Sequence, residues 1–273
     1  MEMNSGDQKR DGDCIEDMPA TIIGKGRIGL ALHAMGGLND VLVGRGDSIM
    51  SDGTGPIYVC TRNDALEDVI QRCPDHRKED LVFLQNGMID PFLQEKGLSE
   101  NAQALLYFAV ATKGATPIDG VTELNPEGLT AATGKWAKAF SARLAKGGLK
   151  CNVLNGLAYK QKMLEKLIFI CAFNLIGVKH RVTLGEVAST HAEEVEPLIE
   201  ELAAAAADDY NLTFEEGITD RLKAYALSVA DYPTAIKETE WRNGYFLALS
   251  SSATAKGQID PCQYHTELWG QLT

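Results

Sequence analysis

Short runs of apolar residues, separated by segments with helical or turn-forming patterns, follow one another along the chain from Ala20 onward. Such runs are typical of strands in a parallel sheet that is covered on both faces. They predict strands near residues 20–23, 41–43, 56–60, 81–84 and 105–111. The spacing between them predicts helices over 28–38 and 64–71. This half of the chain therefore indicates an α/β fold with a doubly wound parallel sheet.

The pattern becomes strongly helical after residue 133. Residues 119–133 predict a pair of short strands around an Asn-Pro-Glu-Gly turn. Apolar spacing then predicts helices over 134–147, 158–178, 191–209, 215–229 and 233–249. The apolar stretch inside 158–178 is shorter than the ~20 residues that a membrane crossing needs, so we expect a buried interior helix. The second half is expected to form an all-helical domain.

The length of 273 residues suits two domains better than one, because single cores seldom grow past about 250–300 residues. The predicted division is an acidic tail over 1–19, an α/β domain over 20–133 and a helical domain over 134–273. The tail carries six acids against two bases, which predicts a solvated segment. Between Val43 and Pro56 there is room for a turn but for no complete strand–helix unit, which allows a reduced sheet.

The net charge of −12 argues against binding to nucleic acid or to an anionic membrane surface, since both need a basic face. The first residues contain no apolar run typical of a signal peptide, and the expected compartment is the cytoplasm. The six cysteines lack a metal-ligand spacing such as Cys-x-x-Cys and are expected to be reduced thiols. No metal site is predicted.

A glycine-rich turn carries the first candidate chemistry. Residues 24–29 match Gly-x-Gly-x-x-Gly directly after an apolar strand and open a helix. This context aims backbone N–H groups at a pyrophosphate. Gly24 permits the tight turn, Gly26 lets the backbone approach the phosphates, and Gly29 allows close packing of helix and strand. We therefore predict a dinucleotide site in which Arg27 and Ile28 also take part.

The end of the next strand bears on the choice of dinucleotide. NAD-binding versions of the turn place an acid there for the ribose hydroxyls, whereas NADP-binding versions often place an arginine. Arg45 lies nearest the strand end, and a guanidinium matches a 2′-phosphate in charge and geometry. NADPH is therefore favoured over NADH, although Asp47 could still serve as the ribose acid.

Several segments together resemble the ketopantoate reductase family of NADPH-dependent 2-oxoacid reductases. They are the glycine turn, Val-Cys-Thr-Arg at 59–62, Leu-Gln-Asn-Gly-Met at 84–88 and the apolar helix at 166–174. The resemblance extends over residues 20–250. It implies a Rossmann-like domain followed by a helical domain like that of 6-phosphogluconate dehydrogenase, with the active site in the cleft between them.

The resemblance also implies roles for single residues. Lys166 matches the lysine that protonates the substrate carbonyl as hydride arrives, which makes it the candidate catalytic residue. Asn86 matches an asparagine near the ribose and the nicotinamide. Asn174 matches a residue that orients the substrate, and Glu238 best matches an acid that grips it, with Glu240 as the alternative. Thr61 lies in a matching cofactor segment.

Elementary chemistry agrees with the lysine assignment. Ketone reduction places negative charge on an oxygen, so a nearby cationic donor is needed. Without the resemblance Lys166 would be interpreted as a solvated lysine, as most helical lysines are. Asn174 lies within an apolar stretch and must find partners there, because an unsatisfied buried amide costs roughly 1–3 kcal/mol. A structural hydrogen bond is the alternative to substrate binding.

Two departures from the family keep other functions open. Ile170 stands where the family commonly has a second asparagine, and the late segment at 232–244 is shortened. The leading hypothesis is an NADPH-dependent reductase of a small 2-oxo acid. The alternatives are a non-catalytic dinucleotide-binding sensor or scaffold, and a different dehydrogenase of hydroxy acids or sugar acids on the same fold. A homodimer is a further expectation.

Overall fold

The computed structural model describes residues 18–272. The predicted acidic tail lies almost wholly outside these residues. The described chain begins with a sheet and continues into a group of helices, in the order that the apolar pattern predicts.

Seven strands form one sheet in the order β2-β1-β3-β4-β5-β6-β7. All neighbouring pairs are parallel except β5 with β6, which is antiparallel. Because the apolar runs of the first strands are buried on both faces, they are continuous in sequence and do not alternate. The strands are β1 (Thr21–Ile23), β2 (Val41–Val43), β3 (Ile57–Val59), β4 (Leu81–Phe83), β5 (Ala102–Leu105), β6 (Ala131–Thr133) and β7 (Asn152–Val153).

Helices cover both faces of the sheet, which supports the predicted doubly wound fold. Residues of α1 and α4 pack on one face around Tyr58, and residues of α2 and α3 pack on the other around Phe83. The chain passes from β2 at one edge to β3 on the far side of β1 without a helix, so the sheet lacks one strand–helix unit there, as expected. These helices are α1 (Arg27–Ala34), α2 (Leu66–Arg72), α3 (Asp90–Glu95) and α4 (Ala137–Lys146).

The remaining helices form a second core around a long central helix, most of which is buried. The Asn155 side chain caps its first turn by accepting from Ala158 N at 3.0 Å, and Arg181 ends it in the left-handed conformation. None of the helices within residues 18–272 is long and apolar enough to cross a membrane. The helices are α5 (Gly156–His180), α6 (Leu184–Ser189), α7 (Ala192–Tyr210), α8 (Ile218–Ser228), α9 (Asn243–Ala255) and α10 (Gln263–Leu272).

Three predicted elements are wrong. Of the strand pair predicted over 119–133, only β6 forms, and it pairs with β5 and β7, because the turn before it closes on itself: Asn125 N donates to Thr122 O and Gly128 N to Asn125 O.

The other two elements are wrong in extent. The strand predicted over 105–111 is β5, which ends at Leu105; Tyr107 N donates to Thr130 Oγ1 and to no neighbouring strand, although the run stays buried. The helix predicted over 233–249 begins only at Asn243. Pro233 bridges to Thr183, so tertiary hydrogen bonds replace helical ones in the preceding segment.

The predicted boundary between residues 133 and 134 falls inside the sheet layer. Helix α4 packs on the sheet through Phe140 and Leu144, and β7 pairs with β6. We therefore propose that the first domain extends to Val153 and that the second begins with α5. The sequence places α4 in the helical domain because the helix is amphipathic, as a bundle helix would be. Only its packing on the sheet shows that it belongs with the first domain.

Candidate active site

The glycine turn lies at the carboxyl end of β1, in the middle of the parallel strands. Gly24 adopts a φ of 114°, which favours glycine, and a Cβ on Gly29 would lie 1.8 Å from the Gly24 carbonyl oxygen. A Cβ on Gly26 would meet nothing within 4 Å. The turn therefore needs Gly24 and Gly29 for its own packing, and it leaves open space in front of Gly26.

The N-terminus of α1 faces that space with backbone donors. Gly26 precedes the helix and accepts from Leu30 N, and no described group accepts from the N–H groups of Arg27, Ile28 and Gly29. Free N–H groups at a helix N-terminus attract anions. The Arg27 side chain itself points elsewhere, since its Nη1 donates to the carbonyls of residues 110 and 111 at 3.1 and 3.2 Å.

The carboxyl end of β2, beside the glycine turn, carries two cations and one carboxylate. Asp47 Oδ2 accepts from Gly44 N at 2.8 Å and lies 3.2 Å from Lys25 Nζ. These contacts, the Gly44 N–H first, hold the pKa of Asp47 below its usual value. Arg45 is exposed and has no hydrogen bond or ion pair with a described residue. The strand end therefore offers one uncommitted guanidinium to a ligand.

Polar groups without partners lie at the ends of the next two strands. The Thr61 hydroxyl after β3 is buried without a hydrogen bond to any described residue, as is Gln85 Oε1 after β4. Gln85 Nε2 ties the two strand ends together by donating to Val59 O at 2.9 Å and to Thr61 O at 3.1 Å. Asn86 O accepts from Asn63 Nδ2 at 3.1 Å, and the Asn86 side-chain amide has no hydrogen bond to a described residue.

Together these groups fit a dinucleotide. The sequence-predicted residues follow four strands that are adjacent in the order β2-β1-β3-β4, and their carboxyl ends meet at one edge of the sheet. The strand order reverses direction beside β1, which is the usual ligand position in open α/β sheets. Free helix N–H groups, an open face at Gly26 and an orphaned Thr61 hydroxyl suit the diphosphate and the sugars of such a ligand.

Lys166 lies on α5 in a cage of aromatic rings, with 7% of its surface exposed. Its Nζ is 3.9 Å from the centre of the Tyr107 ring and 4.6 Å from that of Tyr225. Phe169 adds a third ring at 5.2 Å. Ring faces attract an ammonium, but no described carboxylate pairs with it. Burial, followed by the positive charge of Arg242, lowers the pKa of Lys166 from 10.5 to about 7.

The segment at 233–242 connects α5 to the edge of the sheet. At one end, Asn174 Oδ1 accepts from Ala235 N at 2.9 Å, and its Nδ2 donates to Ile170 O at 2.8 Å. At the other end, Trp241 O accepts from Met88 N at 2.6 Å. The Asn174 amide is therefore occupied in holding this segment. Its assignment to substrate binding stays a prediction.

Glu238 lies in this segment, between its two anchored ends. Its Oε1 accepts from Asn63 N at 3.2 Å, and its Oε2 accepts from Arg242 Nη2 at 2.6 Å. One carboxylate thus joins the end of β3 to the helical part of the chain. Glu238 could be named from the sequence, whereas Asn63 and Arg242 could not. A charged residue next to Asn243-Gly244 gives no local signal of burial, so only the fold could have found Arg242.

A second group of titratable residues lies where α5 ends and α7 begins. His180 Nε2 and His191 Nδ1 lie 2.7 and 3.5 Å from Glu194 Oε1, and the two imidazole rings stack at 3.9 Å with an interplanar angle of 18°. Two nearly parallel ring planes cannot both contain one ion, so the nitrogens do not converge on a metal position. Lys179 also neutralises Glu194 at 2.6 Å.

Comparison of the sequence with protein-family models and with curated proteins gives no match. Solved structures do match. A 2-dehydropantoate 2-reductase from Methylococcus capsulatus is 16% identical, with 93% of this chain and 96% of that chain covered and a TM-score of 0.68. A dimeric ketopantoate reductase from Staphylococcus aureus is 17% identical, with 93% and 97% covered and a TM-score of 0.64.

A third structure, of D-mandelate dehydrogenase with NADH and anilino(oxo)acetate, is 19% identical, with 92% of this chain and 97% of that chain covered and a TM-score of 0.62. Nearly the whole length of each chain is covered, so the likeness extends over both the sheet and the helices. The resemblance that the motifs suggest is thus confirmed for the fold: this protein has the architecture of the ketopantoate reductases.

Proposed function

We propose that the protein is an NADPH-dependent reductase of a small 2-oxo acid. The observation that carries the proposal is a buried ammonium, Lys166, held by aromatic rings without an anionic partner, in a fold whose glycine turn suits a dinucleotide. A buried cation without a counter-ion is costly. The cost is offset where the cation stabilises negative charge that develops on a substrate in the transition state.

The reduction needs a hydride on the carbonyl carbon and a proton on the carbonyl oxygen. When bound, the nicotinamide supplies the hydride. Lys166 is positioned to donate the proton, which converts the 2-oxo acid into a 2-hydroxy acid and leaves a neutral amine that water reprotonates. With its pKa lowered to about 7, the lysine can release and recover that proton near neutral pH. The aromatic cage leaves 7% of the lysine exposed, which limits its contact with water but lets water return the proton.

Residues at the strand ends would hold the cofactor. The N–H groups of residues 27–29 would bind the diphosphate, with Gly26 allowing close approach. Thr61 and Asn86 would bind the sugar and the amide at the nicotinamide end. Arg45 would bind the 2′-phosphate of NADPH, since its guanidinium is exposed and uncommitted whereas Asp47 is occupied by Lys25 and Gly44.

Arg45→Ala should separate the two nicotinamide dinucleotides. We expect the affinity for NADPH to fall at least about tenfold, because a charge-assisted hydrogen bond is worth about 1.5–3 kcal/mol, while the affinity for NADH stays unchanged. Titration of the cofactor fluorescence measures both, and Asp47→Asn serves as the comparison. The opposite result would be that wild type binds NADH more tightly than NADPH and that only Asp47→Asn lowers the affinity for NADH. Asp47 would then be the ribose acid.

The proposed reaction is tested by following NADPH absorbance with a panel of 2-oxo acids that includes ketopantoate, and the reverse reaction with 2-hydroxy acids that include mandelate. The mandelate arm is included because the D-mandelate dehydrogenase has the same fold. We expect turnover with at least one pair. Binding of NADPH without any turnover across the panel would favour the sensor or scaffold. A homodimer, the state named for the reductase from Staphylococcus aureus, stays a proposal for this chain.

A further inference from the structure

The region around Lys166 and the segment at 233–242 holds an excess of positive charge. Lys166 and Arg242 are cations, and one acid, Glu238, forms an ion pair with Arg242. The side chains of Arg242 and Glu238 are only 14% and 15% exposed. A buried site with more cations than acids is unfavourable unless an anion binds there. The chain as a whole has a net charge of −12, so the positive charge at this site is local and does not follow from the composition.

The guanidinium of Arg242 has donors to spare. Among the described residues, only its Nη2 has a hydrogen-bond partner, Glu238 Oε2, and its Nε is buried without one. The segment that carries it is anchored at both ends, to Asn174 on α5 and to Met88 at the sheet edge. Arg242 is therefore held between the helix of Lys166 and the strand ends. It lies near enough for its charge to act on the lysine.

We propose that Arg242 binds the carboxylate of the substrate while Lys166 meets the carbonyl oxygen. This inference rests on the proposed function and narrows its substrate to small acids with a carboxylate next to the ketone. A guanidinium can bind a carboxylate through two parallel hydrogen bonds, which orients the group as well as binding it. Glu238 acts as a positioning residue, because its bond to Nη2 fixes the side chain.

The side chains that follow Lys166 on α5 support this assignment. Ile170 follows Lys166 by one helical turn, is 8% exposed and offers no hydrogen bond from its side chain. The Asn174 amide, one turn further, is occupied by Ala235 and Ile170. Helix α5 thus presents Lys166 but no amide to a substrate carboxylate, and the cation that remains to bind it comes from the segment at 233–242.

The experiment compares a 2-oxo acid with its neutral methyl ester in wild type and in Arg242→Met. We expect KM for the acid to rise by about 30-fold or more, the range seen when one partner of a buried charge pair is removed. The kcat/KM for the ester should change only a few-fold, so the preference for acid over ester collapses. An equal loss for acid and ester would overturn the proposal and make Arg242 a structural residue.

Three further variants keep the result clear. Glu238→Gln combined with Arg242→Met removes the acid left unpaired, and the preference for the acid should remain lost. Glu238→Gln alone should raise KM for the acid with little change in kcat. Lys237→Met removes an exposed cation from the same segment and should change nothing.

A binding measurement separates this inference from the proposed function. Oxamate, an unreactive analogue of a 2-oxo acid, is titrated by calorimetry against the protein saturated with NADPH. We expect oxamate to bind wild type and Lys237→Met and to bind Arg242→Met at least about tenfold more weakly. This outcome would hold even if no substrate of the panel is reduced. Equal affinity in Arg242→Met and wild type, or no binding to either, would overturn the proposal.

Discussion

Lys166→Met is expected to lower kcat for ketone reduction by about 10²–10⁴-fold, the usual contribution of a positioned general acid. Dinucleotide binding should persist, because the lysine lies on α5 and the glycine turn lies at the end of β1. Stopped-flow absorbance of NADPH measures the chemical step, and fluorescence titration measures binding. Unchanged turnover with normal binding would remove Lys166 from the mechanism.

Lys160 provides a matched control on the same helix. Its side chain is also partly buried, and burial lowers its pKa to about 8. It pairs with Asp90 and lies 5.2 Å from the centre of the Tyr210 ring, so its charge is already compensated. Lys160→Met should leave kcat within a few-fold of wild type. Equal losses in the two variants would mean that removal of any buried lysine damages α5.

The pH dependence follows from the lowered pKa of Lys166. The ammonium is present below about pH 7 and is lost above it. The rate of ketone reduction should therefore fall as pH rises through about 7, and hydroxy-acid oxidation, which needs the neutral amine, should rise over the same range. Lys166→Arg stays protonated, so any residual reduction should lose this dependence. A reduction profile that is flat from pH 6 to 8 in wild type would argue against the assignment.

Stability should move in the opposite direction from activity. The pKa of Lys166 is lower in the folded chain than in the unfolded chain, so between pH 7 and 10.5 the unfolded state binds more protons. This group therefore makes the protein less stable at pH 7 than at pH 10. Each pKa unit corresponds to about 1.4 kcal/mol. Because Lys166→Met removes the group whose burial carries this cost, the variant should have a higher free energy of unfolding at pH 7, which urea denaturation measures.

The parts of this fold that could be predicted are those whose local pattern and tertiary environment agree. Strands β1, β3 and β4 are apolar runs buried on both faces, and the edge strand β2 is partly buried. The glycine turn has backbone needs that only glycine meets. Their positions on one edge follow from the parallel order. This is why the candidate cofactor residues could be named from sequence.

The rest depends on contacts between residues distant in sequence. The sequence predicts only that Tyr107 and Tyr225 belong to apolar stretches. It does not predict that both rings contact Lys166. The segment before Asn243 has helical spacing, yet Asn174 accepts from one of its backbone N–H groups. Residues 234–238 form no helix, and only a single 3-10 turn follows at Thr239–Trp241. The position of Arg242 between α5 and the sheet depends on that irregular path, which is anchored at Asn174 and at Met88. No local pattern predicts the position of Arg242, because the helix expected over 233–249 would direct its side chain elsewhere.

Gly29→Ala is expected to destabilise the fold itself. The new Cβ would lie 1.8 Å from the Gly24 carbonyl oxygen and 3.4 Å from the Cys60 side chain, and the first contact is with backbone. Helix α1 would have to move away from β1. Overpacking of this kind typically costs 1–3 kcal/mol, so we expect about that loss in the free energy of unfolding. Chemical denaturation without any ligand measures it, and unchanged stability would mean that the turn relaxes freely.

Gly26→Ala, three residues earlier, tests the ligand and leaves the fold alone. Gly26 has a φ of −86°, which alanine adopts, and its Cβ would meet no protein atom within 4 Å. Stability should therefore stay within about 1 kcal/mol of wild type. If a diphosphate packs against this backbone, the methyl group occupies its place, and affinity for NADPH and NADH alike should fall at least about tenfold, or 1.4 kcal/mol. A stable Gly26→Ala protein that binds both dinucleotides as tightly as wild type would mean that the open face at Gly26 holds no phosphate.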